Sequence, residues 1–370
     1  MSNEKPISVL VTGVGDTVGQ ALVKAARRSA IPCRVLGTDR DELSVGLNWV
    51  EKGFVLPHCS QADAYLDQLR EICVAEGVQL ILPGSEKELE LLARNAAALQ
   101  AEAGAIVVGS PPEVLQVALN KWETCRFLER AGLRFPRFAR LDADDDLQRL
   151  IREVGFPLIA KPFHGTGARG LVRLNSWKEI EALRVEATEM VVQEYLQPDD
   201  EEYSVGVYTL KDGRQVGAMS YQRRHMVAGD TYKARIGSHA AVEAEAKAVV
   251  AALRPAGPCN VQLRVTERGP VTFEINPRYS GGVSLRAYFG YNEVEMAVRD
   301  LVLNQPVPEP RVKSGVALRF WEELYLEDKP EPGLGTALEI ANRKNRTGEF
   351  SAGTFSAWGR WDERLVHPAN

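Results

Sequence analysis

The segment Gly257-Pro-Cys-Asn-Val-Gln-Leu-Arg264, followed after a short turn by Val271-Thr-Phe-Glu-Ile-Asn-Pro-Arg278, decides how this chain is read. It reads as two β-strands that bring Gln262, Glu274 and Asn276 together, with Arg278 just beyond. Glu274 and Asn276 stand two apart on one strand, so their side chains share a face. Oxygen donors of this kind suit a hard cation such as Mg2+ held jointly with the phosphates of a nucleotide. An ordinary hairpin carrying polar residues is the alternative, and the rest of the chain weighs against it.

The 370 residues suffice for two or three domains, and 45% hydrophobic with 26% charged residues is ordinary for a globular chain that needs no partner to fold. A net charge of −5 argues against broad nucleic-acid binding while leaving room for a local basic pocket. The cysteines at 33, 59, 73, 125 and 259 have no close pair and no zinc-type spacing, as expected of reduced thiols in a cytosolic protein. Met1-Ser-Asn-Glu-Lys-Pro6 leads straight into a strand without a secretion signal, and no segment approaches an uncharged membrane span. The expected location is the cytoplasm, away from membranes.

Strand and helix signals alternate over the first hundred or so residues, which favours a parallel α/β sheet. Strands are expected at 7–12, 32–38, 54–56, 78–82 and 106–108, and helices at 17–28, 62–76 and 86–102. Pro111-Pro112 then marks a boundary. Gly13-Val-Gly-Asp-Thr-Val-Gly19 occupies the first strand-to-helix junction, where glycines permit a tight turn and the approach of an anion. Its spacing departs from G-x-G-x-x-G, so it makes a weak dinucleotide site. Asp39 stands where a ribose-binding acid is usual, or caps a turn; Ser85 in Leu82-Pro-Gly-Ser-Glu86 lines an acceptor pocket, or caps the next helix.

A second unit opens with Leu119-Asn-Lys121 and a helix over 122–131. Asp142-Ala-Asp-Asp-Asp146 reads as a helix start or surface loop rather than a metal site. Gly155 to Pro162 supplies a strand with Lys161 near its end, directly before His164-Gly-Thr-Gly-Ala-Arg-Gly170. A glycine-rich hairpin of this kind folds over phosphates, presenting backbone N–H groups and a lysine to negative charge. It lacks the order of a P-loop. The strand lysine, the loop and the downstream acidic site together indicate an ATP site.

These motifs resemble the ATP-grasp superfamily. The resemblance rests on Asn120-Lys121, Ile159-Ala-Lys-Pro162 with His164 to Gly170, Val192-Gln-Glu-Tyr-Leu196, Glu201-Glu-Tyr-Ser-Val205, Asn260-Val-Gln262 and Phe273 to Arg278. The last two look most like the carbamoyl-phosphate-synthase-like and amino-acid-ligase-like branches. The implied fold is α/β and α+β: an N-terminal Rossmann-like pre-ATP-grasp domain over 1–112, a two-lobed ATP-grasp domain over 113–310 with a lid over about 121–190, and a C-terminal extension over 311–370 packed on the catalytic lobe. Trp321, Trp358 and Trp361 in that extension are expected to pack rather than to shape the acceptor pocket.

By the same resemblance Lys121 and Lys161 contact the nucleotide phosphates, with Lys161 also near adenine. Glu194, Tyr195 and Leu196 form the hinge that reads adenine through backbone groups, and Glu202 binds ribose hydroxyls. Gln262, Glu274 and Asn276 hold Mg2+, or Mn2+ in its place, and Arg278 steadies the transferring phosphate. His164, Gly165, Gly167 and Gly170 belong to the phosphate loop, although His164 also fits a polar loop tip. The basic stretch Arg223-Arg224-His225 with Gly229, Asp230, Thr231, Lys233 and Arg235 approaches the nucleotide or second substrate, with Arg235 favoured as catalytic, or is a solvated turn. Ser280-Gly-Gly282 leaves room for an acyl group.

The chemistry implied is ATP-dependent ligation of a small carboxylate, an amino acid foremost, to an amine through an acyl phosphate, releasing ADP and phosphate. Carboxyphosphate or carbamoyl-phosphate chemistry, or nucleotide binding without catalysis, are the alternatives. No Ser-His-acid or Cys-His arrangement finds local support. A homodimer stays open as an assembly.

Overall fold

The computed structural model describes residues 5–165, 169–187 and 189–326. The N-terminal portion holds β1 (Ile7–Val11), α1 (Thr17–Ala26), β2 (Cys33–Asp39), β3 (Lys52–Val55), α2 (Ala62–Glu76), β4 (Leu80–Leu82), α3 (Glu86–Ala103) and β5 (Ile106–Val107). The strands form a parallel sheet in the order β3-β2-β1-β4-β5. Alternation along them assigns the two faces. Val9, Val11, Val35, Leu80 and Leu82 join α1 in one core, whereas Leu10, Leu36 and Ile81 join α2 and α3 in another. Gly77 and Gly104 stop α2 and α3 in the left-handed conformation, at φ of 60° and 70°.

Next come α4 (Pro112–Leu119) and α5 (Lys121–Arg130), the latter capped by Asn120, whose side-chain oxygen accepts from Trp122 N and Glu123 N. Four strands follow, β6 (Phe138–Arg140), β7 (Leu158–Pro162), β8 (Val172–Leu174) and β9 (Met190–Glu194), in the antiparallel order β6-β9-β7-β8. The helices α6 (Asp144–Val154) and α7 (Trp177–Glu186) bury Leu147, Leu150 and Ile180 against one face of this sheet. The Asp142–Asp146 cluster is the start of α6, where three acidic residues sit in the first turn and favour the positive end of the helix.

The largest sheet is antiparallel, ordered β14-β13-β10-β11-β12-β15. It comprises β10 (Glu202–Thr209), β11 (Gln215–Val227), β12 (Asp230–Ile236), β13 (Gly257–Thr266), β14 (Gly269–Asn276) and β15 (Gly315–Leu318). The expected pair of strands is therefore β13 and β14, and the basic stretch is the β11-β12 hairpin. Helix α8 (Ala240–Leu253) covers one face through Val242, Ala246, Val249 and Val250. On the other face Tyr208, Met219 and Tyr221 share a core with the N-terminal sheet, α1 and α9 (Val283–Tyr288). The aromatic packing expected of the extension does not hold for Trp321, which is 82% exposed just beyond the edge strand β15, where no described element covers it. Trp358 and Trp361 lie outside the described residues.

Arg286 and Glu293 are both 0% exposed and pair through Nε at 2.8 Å and Nη2 at 3.0 Å. The same guanidinium donates to Ser280 Oγ at 3.1 Å and Asn260 Oδ1 at 3.3 Å. Gly206 lies beneath it, and any Cβ there would collide with Arg286. Breaking a buried pair strands a charge, so Glu293→Ala is expected to cost about 3–5 kcal/mol in urea unfolding, against less than about 0.5 kcal/mol for removing the exposed Arg94–Glu90 helix pair.

Candidate active site

A cleft of about 1080 Å³ is lined by all three sheets. Its walls include Lys161 from β7, Glu194 to Leu196 at the end of β9, Glu202 and Ser204 from β10, and Gln262, Glu274 and Asn276 from β13 and β14. The loops after β1, β2 and β4 close the N-terminal end with Asp16, Asp39, Ser85 and Glu86 among their residues.

Register explains the metal candidates. Gln262 lies opposite Glu274 and Asn260 opposite Asn276, so the four side chains project from neighbouring positions of one sheet face. Asn276 Nδ2 donates to Glu274 Oε1 at 2.9 Å, which leaves the Asn276 amide oxygen as a hard donor beside the carboxylate. Gln262 sits next to them, but its Oε1 accepts from Arg223 Nη1 at 2.5 Å and so faces a cation. Among the described residues no cluster of three or more His, Cys, Asp or Glu could hold a metal by itself. Glu274 and Asn276 fit a cation such as Mg2+ that keeps waters and shares nucleotide phosphates, since Mg2+ seldom demands an all-protein cage.

The lysines stand at the cleft on the elements expected of them. Lys121 Nζ donates to Gly165 O at 2.6 Å, which ties α5 to the glycine-rich loop. Lys161 Nζ lies over the ring of Phe273, 5.2 Å from its centroid. Burial pushes both amines below their usual range, opposed by the Glu274 carboxylate. A dianionic ligand would reverse that penalty. His164 Nε2 takes a contact from Asn120 Nδ2 at 3.3 Å and is exposed at the loop, with Gly165 and Gly170 at positive φ beside it. Gly167 lies outside the described residues.

In the hinge segment the Glu194 carboxylate is turned to Arg268 Nη2 at 2.6 Å and Arg137 N at 3.1 Å, while Tyr195 Oη donates to Asp199. Leu196 O accepts from Arg264 Nη1 at 2.6 Å. Glu202 is 5% exposed and its two oxygens accept from Arg223 Nη1 at 2.6 Å and Arg264 Nη2 at 2.5 Å. A carboxylate has about four lone-pair directions, so a hydroxyl donor still has places to bind.

Arg235, favoured on sequence as catalytic, is not brought to the site. It pairs in register with Gln222 on β11, so alternation puts it on the opposite face from Tyr221 and Arg223, and it is exposed. Arg223 takes the place: 7% exposed, it joins Glu202, Gln262 and Thr231 Oγ1. The register of Tyr221 with Ser204 and Ile236 sets this parity. Asp39 takes the turn-capping option, accepting from Gly15 N at 2.7 Å and Asp41 N at 3.1 Å. Ser85 makes no capping bond to α3 and lines the cleft. Arg278 is bound through Nε and Nη2 to Glu86 Oε2, at 3.0 and 2.5 Å. Sequence reading also passed over Glu88, whose carboxyl is pushed up to about 7 by burial; the hydroxyls of Thr12 and Tyr65 work against the rise, and Asp39 and Asp16 add to it.

Residues 186–323 match the family model described as ATP-grasp in the biosynthetic pathway with Ter operon, and residues 9–108 match the PylC-like N-terminal domain. Among curated proteins, the chain is 28% identical over 119 residues to the carbamoyl phosphate synthase large chain of Micrococcus luteus, and 25% identical over 193 residues to that of Mycobacterium tuberculosis. These matches cover 31% and 49% of this chain but 11% and 17% of those much longer proteins. Among solved structures, N5-carboxyaminoimidazole synthetase from Staphylococcus aureus with ADP is similar at TM-score 0.65 and 17% identity, over 85% of this chain and 83% of that one. The L-amino acid ligase from Bacillus licheniformis is similar at TM-score 0.61 and 19% identity, over 81% and 75%. The biotin carboxylase domain of the Hydrogenobacter thermophilus 2-oxoglutarate carboxylase, with MgADP and bicarbonate, gives TM-score 0.64 and 16% identity, over 85% and 74%. The ATP-grasp match thus falls on residues 186–323, and the similar solved structures share the fold over most of the chain.

Two outcomes follow from this geometry. In calorimetric titration with a nonhydrolysable ATP analogue and Mg2+, Lys161→Met should weaken binding by about tenfold or more and Arg235→Ala by less than about twofold. Between pH 4.5 and about 7 the folded chain keeps a proton on Glu88 that the unfolded chain has lost, so this contribution to stability is full below that window and lost as pH rises through it. Urea midpoints measured across the window should fall less steeply in Glu88→Gln.

Proposed function

We propose that the chain is an ATP-dependent carboxylate-amine ligase. The observation that carries this is that two half-buried lysines and Arg278 line one cleft together with the Glu274-Asn276 pair, the set of groups a triphosphate and its cation require. In this reading Lys121 and Lys161 neutralise the phosphates, and the main chain at Glu194 to Leu196 lies along the adenine. Glu202 contacts the ribose, its carboxylate fixed by two arginines. Glu274 and Asn276 hold the cation, which when bound draws charge from the phosphoryl oxygens. The four-stranded sheet with α6 and α7 acts as a lid whose closure keeps water from a labile intermediate.

The reaction proceeds by transfer of the γ-phosphoryl of ATP to a carboxylate oxygen, giving an acyl phosphate and ADP. An uncharged amine then attacks the carbonyl carbon, phosphate leaves, and the amine gives up a proton as the amide forms. No covalent enzyme intermediate is needed. Catalysis is positioning and charge neutralisation. The similarity to an L-amino acid ligase supports an amino acid as the acid. A second reading takes bicarbonate as the acid, through carboxyphosphate, and is supported by the similarity to a biotin carboxylase domain bound to MgADP and bicarbonate.

Pools of carboxylates and amines assayed for ADP, phosphate and new mass should yield ADP and phosphate, and hydroxylamine should trap the acyl phosphate as a hydroxamate. AMP with pyrophosphate would overturn the mechanism; ADP release with bicarbonate as sole acid would select the second reading. Glu274→Gln should abolish turnover with a near-parental melting temperature, and unchanged turnover would remove its ligand role. Arg278→Lys should keep nucleotide affinity while kcat falls by about tenfold or more, because lysine lacks the planar fork.

A further inference from the structure

The contact between Arg278 and Glu86 joins residues 192 positions apart, and it couples the two ends of the cleft. Arg278 follows β14 and the cation-holding pair, whereas Glu86 is the first residue of α3 and borders the N-terminal loop Leu82 to Ser85. Both side chains are mostly buried, at 15% and 24% exposed. Nε and Nη2 of the guanidinium both donate to Glu86 Oε2, and Nη1 donates to Tyr279 O at 3.0 Å. The edge of the fork that suits a carboxylate or phosphate is therefore occupied, and the other edge is half engaged. For Arg278 to grip a phosphoryl group in two-pronged fashion, Glu86 must let go.

Glu86 cannot be released at no cost, because a partly buried carboxylate left without a counter-ion is penalised. Its surroundings at this end of the cleft are acidic. Asp16, Asp39 and Asp41 line the same loops, against Arg40 and Lys87. Glu88 is mostly buried beside them, next to the hydroxyls of Tyr65 and Thr12. An incoming cation is what this wall favours. A compact ammonium group satisfies a carboxylate as well as one guanidinium edge does, and it is the charged form in which an aliphatic amine or amino acid arrives at neutral pH.

We propose that Glu86 is a positioning residue that holds Arg278 off the phosphate until the ammonium group of the amine substrate replaces the guanidinium on Glu86. The inference rests on the ligase reading for its substrate and adds to it that the amine enters as ammonium at the N-terminal end of the cleft and gives up one proton to solvent before it attacks uncharged. Arg278 then reaches the phosphoryl group only when an acceptor is in place, which limits wasteful hydrolysis of the acyl phosphate.

The test uses the full chain and the variants E86Q and E86D, each checked by thermal melting. With acid and MgATP but no amine, E86Q should release ADP about fivefold faster than the parent, while its KM for amine rises about tenfold and its KM for ATP changes by less than about twofold. E86D should return toward the parent. A readout independent of turnover is titration of inorganic phosphate into the MgADP complex: E86Q should bind phosphate about fivefold more tightly, and the E86Q/R278M double variant should lose that gain. E86Q binding phosphate no more tightly than the parent overturns the inference, and so does an unchanged dependence on amine in an active parent. A parent without turnover whose E86Q variant binds phosphate more tightly upholds the latch and sinks the ligase reading instead.

Discussion

A single guanidinium in the interior organises the reactive end of this molecule. Arg286 is fully buried, and Glu293, equally buried, supplies the charge it needs. Taking both ions from water is expensive, and an apolar pair of similar volume would serve stability at least as well. What an apolar pair lacks is the fan of donors. Through Asn260 Oδ1 and Ser280 Oγ the guanidinium ties the middle of β13 to the turn after β14, and Ser204 Oγ on β10 reaches the same Asn260 oxygen at 2.7 Å. Two strands and the Arg278 loop are thus set from one point. Gly206 is required for the same reason, because Arg286 fills the space a side chain would take.

That fixed corner gives the cleft its polarity. At the end built by β7, α5 and β14, Lys121 and Lys161 are half-buried beside one carboxylate, and the loss of solvent depresses their affinity for protons until an anion joins them. At the end built by the N-terminal loops, carboxylates outnumber cations and Glu88 is driven toward its neutral form. The two ends ask for opposite ligands. Arg223, Glu202 and Arg264 form a row of alternating charge along the cleft, with Gln262 drawn into it.

Much of this was open to reading in the sequence, and the exceptions share a cause. Strand periodicity puts Glu274 beside Asn276, and the β13-β14 register confirms that Gln262 faces them. The strand-helix alternation behind the parallel sheet and the helix starts at Ala62 and Glu86 were similarly visible because they are local. Arg235 was misplaced because a basic run gives no parity until the strand's phase is known, and only the pairing of Tyr221 with Ser204 and Ile236 sets it. The contact of Arg278 with Glu86 and the burial of Glu88 depend on how elements far apart in sequence dock, which no local pattern encodes.

The docking itself has an identifiable physical basis. Helix α1 packs its apolar face onto α9 and the large sheet, so Val9, Leu22 and Val11 share a core with Tyr221, Val283 and Tyr291. Burial of that continuous apolar surface, at about 25 cal/mol per Å², outweighs anything the polar contacts at the rim contribute. Thr17 Oγ1, donating to Asp230 Oδ2 at 2.8 Å, and Glu86 with Arg278 are such rim contacts. Since the shared core holds the layers together, these polar groups are at liberty to exchange partners without loosening the fold. A ligand can therefore compete for Glu86 at the cost of one ion pair, while the cleft around it keeps its shape.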